Sequence, residues 1–240
     1  PAKAQSFVND NKGVVGSSYW YRDNFDKEGK PNSVVPTLSQ IIKVHVAKST
    51  FVVKTAEQKA AIQERWTYRK VVNTENEIRM NKKFETGVLY DKKGNVIIDK
   101  RGAATSVSFT TEECAKMKDC IFTHNHPRGW GYPEKSLGRI GSSFSPEDIM
   151  LTVAHDVAEM RAVTPDYTFI MKRPKEGWGI GVEDLNELIM KENRKLKKEF
   201  QERIYSGTLT PERASAVHFH ILWKRIVKQT GWDYSKSKTR

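Results

Sequence analysis

His124 and His126 lie two residues apart in Phe122-Thr123-His124-Asn125-His126-Pro127, and Ser145-Pro146-Glu147-Asp148 follows. Two imidazoles and one carboxylate make a ligand set that leaves a divalent metal ion one position for water. Residues 119–123 before the pair are short, apolar and rich in strand formers. Side chains alternate faces along a strand, so His124 and His126 would face the same way and reach one ion. Pro127 ends the strand. Ser145 suits an N-cap, Pro146 suits the first helical position, and Asp148 falls in the first turn of the apolar-periodic run 149–160. The end of a strand and the start of a helix would then converge on one site.

Such a site needs a sheet behind it. From residue 84 the chain alternates short strand-like runs with helical ones. Residues 86–90 and 96–99 flank the turn Asp91-Lys92-Lys93-Gly94-Asn95 and predict a hairpin. Residues 105–109 predict a third strand, and Thr110 with Glu113 makes a capping box for a short helix to about Lys118. The histidine strand, a helix over 146–160 and a strand over 167–171 come next. Residues 183–205 and 211–229 predict two helices, with Gly207 between them, Thr210 and Pro211 opening the second and Gly231 closing it. The expected class is α/β (α+β), a mixed sheet with flanking helices and a helical C-terminal extension. Upstream, residues 1–36 read as loop-rich, with an aromatic cluster at Tyr19-Trp20-Tyr21. Residues 41–46 and 51–53 predict strands, and Thr55 caps a predicted helix over 56–69.

The 240 residues, 38% of them hydrophobic, can bury one sizeable core with a smaller appended unit. No apolar run approaches the ~20 residues that cross a bilayer, and residues 1–4 open no signal-peptide-like stretch, so no membrane partner is expected. Cys114 and Cys120 form no CxxC pair and read as reduced thiols, which points to the cytoplasm. The net charge of +12 is uneven, with +4 over residues 1–77, +1 over 78–171 and +7 over 172–240. The motif therefore lies in a nearly neutral segment between basic flanks. Those flanks would suit nucleic acid as a partner; a solvated basic surface, including the run 191–198, is the alternative.

A water held on a metal needs a carboxylate to take its proton and return it to the leaving group. The candidate is Glu85, in Phe84-Glu85-Thr86-Gly87-Val88-Leu89-Tyr90, with Glu75 and Glu77 as rivals. A Glu ahead of a Gly-Val-Leu strand, then His-x-His-Pro, then Ser-x-x-Asp opening a helix, resembles the JAB/JAMM (MPN-type) metalloproteins. The wording His124-Asn125-His126-Pro127 is similar to their RadC-like bacterial branch. The resemblance covers roughly residues 78–172. It implies a curved mixed sheet of the JAB/JAMM (cytidine-deaminase-like) kind, with one zinc ion on His124, His126 and Asp148. It also implies Glu85 as general acid/base and Ser145 as a donor to the oxyanion of a tetrahedral intermediate, where a plain N-cap role competes for the same hydroxyl. The chain would divide into an N-terminal extension over 1–77, the metal-binding domain over 78–175 and a basic helical extension over 176–240.

One departure from the family pattern stands out. Residues 127–144, 18 in all, separate the second histidine from Ser145, longer than the family spacing. The insertion carries Arg128, Trp130, Tyr132, Lys135 and Arg139 among four glycines. It reads as a candidate substrate loop beside the metal, or as a spacer that folds away. The histidines at 218 and 220 repeat the His-x-His spelling. On a helix, however, positions i and i+2 point about 200° apart, which is wrong for one ion. His155 is expected to pack against the site's helix or support it from behind.

Three functions follow. The first is a zinc-dependent hydrolase that uses water to cleave a peptide or isopeptide bond in a protein substrate. The second is a RadC-like, nucleic-acid-associated or mobile-element protein that uses the domain for binding. The third is a phage or virus assembly protein carrying the domain as an accessory, which would place the chain within a particle.

Overall fold

Thr55 Oγ1 accepts the Gln58 N–H and opens helix α1, Ala56–Arg79, which runs past the end expected at residue 69. The computed structural model describes residues 55–239, so the features expected at 1–36, 41–46 and 51–53 lie outside the described residues. After α1 come β1 (Thr86–Tyr90), β2 (Val96–Arg101), α2 (Thr111–Cys114) and β3 (Ile121–Asn125). Then follow α3 (Pro146–Ala154), β4 (Glu159–Val163), β5 (Tyr167–Lys172), α4 (Val182–Tyr205), α5 (Pro211–Thr230) and β6 (Asp233–Lys238).

Among the described residues the six strands form one mixed sheet in the order β2-β1-β3-β4-β5-β6. The β1–β2 hairpin closes where Asp91 Oδ1 accepts from Lys93 N and Asn95 N at 2.8 Å each, with Gly94 at φ 75° completing the turn. Only β3 and β4 run parallel; the other neighbours are antiparallel. A parallel pair needs a long crossover, and here the crossover contains both the insertion and α3. That connection brings the start of α3 back to the end of β3.

The sheet has two unlike faces. On one, Leu89, Phe122, Met160, Ala162, Phe169 and Met171 pack against Ile149 of α3, Leu185 and Leu196 of α4, and Trp223 and Ile226 of α5. Each such side chain contributes about 1.5–3 kcal/mol on burial. On the other face, α1 brings only Val71 to Val88, Tyr90 and Ile121. It is anchored mainly by charge: Arg161 donates to Glu75 and to Glu159 at 2.5 Å, and Tyr68 donates to Glu159. Arg79 donates to the carbonyl oxygens of Thr164 and Tyr167. Leaving one member of a buried set unpaired typically costs about 3–5 kcal/mol, so this polar face fixes where α1 sits.

From residue 60 onward the described chain makes one unit. Trp178, Leu185, Leu196, Trp223 and Trp232 belong to the same core as Phe122 and Met160, and β6 completes the sheet beside β5. The break expected at 175/176 therefore falls inside a continuous core, and α1 crosses the one expected at 77/78.

Three further element expectations are revised. The helix expected over 146–160 stops at Ala154, because Asp156 turns at φ 51° and residues 159–163 enter the sheet as β4. Residues 105–109, expected as a strand, pair with nothing in the sheet and run beside the site instead. The short helix after Thr110 keeps its capping box but ends at Cys114. Residues 233–238, beyond the last predicted helix, form the edge strand β6.

Candidate metal centre

His124 stands on β3 and His126 one residue beyond it, where the His126 N–H still bonds to the Val163 carbonyl at 2.8 Å and prolongs the strand. Their Nε2 atoms are 2.9 Å apart. Asp148, in the first turn of α3, places Oδ2 3.7 Å from His124 Nε2 and 4.0 Å from His126 Nε2. These three residues form a group able to hold a metal ion.

The donor set, two imidazole nitrogens and a carboxylate oxygen, suits a divalent metal ion. The Ser142 carbonyl accepts from His126 Nδ1 at 2.9 Å, so the ring proton sits on Nδ1 and the Nε2 lone pair is left for a ligand. Tetrahedral bonds of about 2.05 Å put donor atoms about 3.3 Å apart, a value the observed triangle brackets. The 2.9 Å contact between the two Nε2 atoms leaves room for one proton at most. An ion would displace that proton, so binding would be linked to pH. His124 Nδ1 is buried with no hydrogen-bond partner.

The electrostatics agree with the geometry. Burial and then His124 push the His126 pKa down to about 4, against Asp148, which keeps that ring neutral. Burial opposes charge on His124, but Asp148 and then Glu85 outweigh it and raise its pKa. Burial also opposes ionisation of Asp148, yet His124, His126 and the Ser145 amide hold its carboxyl well below the usual range.

Glu85 is 8% exposed and lines the same cleft. Burial pushes its pKa up to about 7, with His124 lowering it and Asp148 raising it. Its backbone is pinned on both sides, its N–H to the Ala103 carbonyl and its carbonyl to the Gly102 N–H, both at 2.7 Å. The rivals are placed elsewhere: Glu75 is buried against Arg161 under α1, and Glu77 is exposed.

Ser145 is the N-cap of α3 and also lines the cleft. Its Oγ accepts the Asp148 N–H at 3.1 Å as the cap of α3, and its own O–H remains available to the cleft that it lines. The cleft, of about 480 Å³, has apolar walls from Val107, Phe109, Phe122 and Leu151, with Thr105, Ser106 and Ser108 along one side.

The insertion does not cover this cleft. It folds into two tight turns, Pro127–Gly131 and Leu137–Ile140. Trp130 Nε1 donates to the Arg79 carbonyl at 2.7 Å, and Arg139 donates to Asp166 and stacks on Trp130. A Cβ on Gly138 would fall 2.2 Å from the Tyr132 ring, so these turns are closely packed. Arg128 and Tyr132 line a separate small cleft with Glu212, and Lys135 is exposed. None of Arg128, Trp130, Tyr132, Lys135 and Arg139 is among the residues that line the cleft of the histidines. The other His-x-His pair is divided as its helix requires: His218 bonds Asn193 and His220 bonds Tyr234.

Asn125, between the two histidines, is a residue the sequence pattern passes over. Its side chain lies on the opposite face of the strand and is 1% exposed. Its Nδ2 donates to the carbonyls of Asn81 and Phe84, and its Oδ1 accepts the Thr86 N–H at 2.6 Å. It thus ties the histidine strand to the segment carrying Glu85. The spelling of the motif contains this residue, but only the fold reveals its partners.

No protein-family model, curated protein or solved structure matches this chain.

Proposed function

We propose that this chain is a zinc-dependent hydrolase of the JAB/JAMM type that cleaves a peptide or isopeptide bond. The observation that carries the proposal is the triangle of His124 Nε2, His126 Nε2 and Asp148 Oδ2, with Glu85 in the wall of the same cleft. A zinc ion held there would supply a Lewis acid that activates water and polarises a carbonyl. Glu85 takes the proton from the attacking water and delivers it to the leaving amine, a role suited to a carboxyl with a pKa near 7. Ser145 donates its O–H to the oxygen of the attacked carbonyl.

The cleft also favours a peptide over a polyanion. Among the described residues its lining includes the carboxylates of Glu85, Glu147 and Asp148 and no Lys or Arg. A nucleic-acid backbone would meet repulsion there. Val107 and Ser108, on one wall, make no backbone hydrogen bonds among the described residues. Their polar groups are available to an extended substrate chain.

Metal analysis and hydrolysis assays test this reading. One equivalent of zinc in the purified protein, lost in His124→Ala and in Asp148→Ala, is expected, with zinc-dependent cleavage of peptide or isopeptide substrates. Protein expressed with ample zinc that carries none overturns it.

A further inference from the structure

We propose that Tyr234, on β6, is a positioning residue for the metal centre, acting through Ser143 on the segment that orients His126 and Asp148. This rests on the metal-binding reading above and adds to it the origin of the site's rigidity. The four residues 142–145 divide their duties between the outer and the inner pair. The Ser142 carbonyl accepts from His126 Nδ1 at 2.9 Å, and Ser145 caps α3 beside Asp148. Between them, Ser143 and Phe144 are held from behind by the C-terminal elements. Ser143 Oγ shares a hydrogen bond with the Tyr234 hydroxyl at 2.8 Å, and that hydroxyl shares another with His220 Nδ1 at 2.9 Å. Trp223 Nε1 donates to the Phe144 carbonyl at 2.8 Å. Ser143 is 2% exposed, and Phe144 and Trp223 are fully buried.

The acceptor that orients His126 is a backbone carbonyl, so no side chain of its own fixes where it points. Its direction is inherited from its neighbours, and the hydroxyl of Ser143, one residue on, is fixed by Tyr234. A buried hydroxyl in an apolar core needs a partner, and Tyr234 supplies the one that keeps Ser143 in place. Partners that orient a ligating histidine are typically worth 10–100-fold in metal affinity. Tyr234 acts one bond further out, so the expected loss is about tenfold.

Zinc affinity of the metal-free full chain, measured by competition with a chromophoric chelator, tests the proposal without reference to turnover. Tyr234→Phe keeps the ring and removes the hydroxyl; Ser143→Ala removes the other end of the same bond. Each is expected to weaken zinc binding about tenfold, and the double variant to weaken it no further than either alone. Leu196→Val, which loosens the same core with no polar group involved, is expected to lower the melting temperature and leave zinc affinity unchanged. Wild-type affinity in folded Tyr234→Phe overturns the proposal; should that variant fail to fold, wild-type affinity in Ser143→Ala does so. A wild-type chain that binds no zinc overturns the metal reading itself, an outcome distinct from equal binding by wild type and variants.

Discussion

Asp148 and Ser145 hold each other twice: Asp148 Oδ2 accepts the Ser145 N–H at 2.7 Å, and Ser145 Oγ accepts the Asp148 N–H at 3.1 Å. The same Oδ2 is the oxygen 3.7 Å from His124 Nε2. The cap of α3 and the carboxylate facing the histidines are therefore one device. Helix initiation orients the carboxylate before any ion arrives.

Ser145→Ala should consequently act on two observables at once. Loss of the cap lowers unfolding free energy by about 1 kcal/mol. The Asp148 carboxylate keeps the backbone N–H of residue 145, but the helix start that carries it is loosened, and zinc binding should weaken as well. Ser145→Thr retains the hydroxyl and should restore both. Chemical denaturation and zinc titration of the three proteins check this; an alanine variant altered in stability alone would separate the cap from the ligand.

Glu85→Gln should leave the metal content unchanged and remove most hydrolysis. The amide is nearly isosteric but cannot take a proton from water, and general base catalysis typically contributes 10²–10⁴-fold. Metal analysis paired with single-turnover rates checks this, and full turnover in the variant would remove Glu85 from the mechanism.

Asn125→Ala should destabilise the fold by about 1–3 kcal/mol, because the buried Thr86 N–H and the carbonyls of Asn81 and Phe84 lose their partner. The same loss frees the segment that carries Glu85. Turnover should fall more than zinc affinity, since neither histidine depends on this side chain for its contacts. Parallel measurement of kcat and zinc affinity checks the ordering.

His220 gives stability a defined pH dependence. Burial, then Lys236 and Lys224, push its pKa from an ordinary 6.5 down to about 4, and Tyr234 also faces it. As pH falls from 6.5 toward 4, the unfolded chain binds a proton that the folded chain refuses. Stability is therefore lost over that window and is fully present above it. His220→Gln cannot titrate and should show a shallower decline. Melting temperatures of both proteins across pH 7 to 4.5 check this; parallel curves would reject it.

The site was legible where its signals are local. Alternation along β3 places His124 and His126 on one face, and the Ser145-Pro146 start of α3 places Asp148, so the three atoms converge despite the long insertion. The hairpin and the two long helices were legible for the same reason: their turns and caps are written in neighbouring residues. Strand β4 was not, because Glu159 and Arg161 are charged residues buried in mutual contact, and the apolar period of α3 runs on through Met160. Strand β6 reads Asp-Tyr-Ser-Lys-Ser-Lys, the polar composition of a guarded sheet edge, with no apolar alternation to announce it. Asn125, Ser143 and Tyr234 matter through partners 39 to 91 residues away, which no spacing rule records.

The contact between Ser143 and Tyr234 spans 91 positions. During synthesis His124, His126 and Asp148 all leave the ribosome well before the strand that steadies their surroundings. At about 5–20 residues per second that interval is on the order of 5–20 s. For that time a growing chain can display His124, His126 and Asp148 while Ser142 and Ser145 still lack their support. For the hydrolase proposed above, a centre completed last would be one that stays quiet while its own chain is being made.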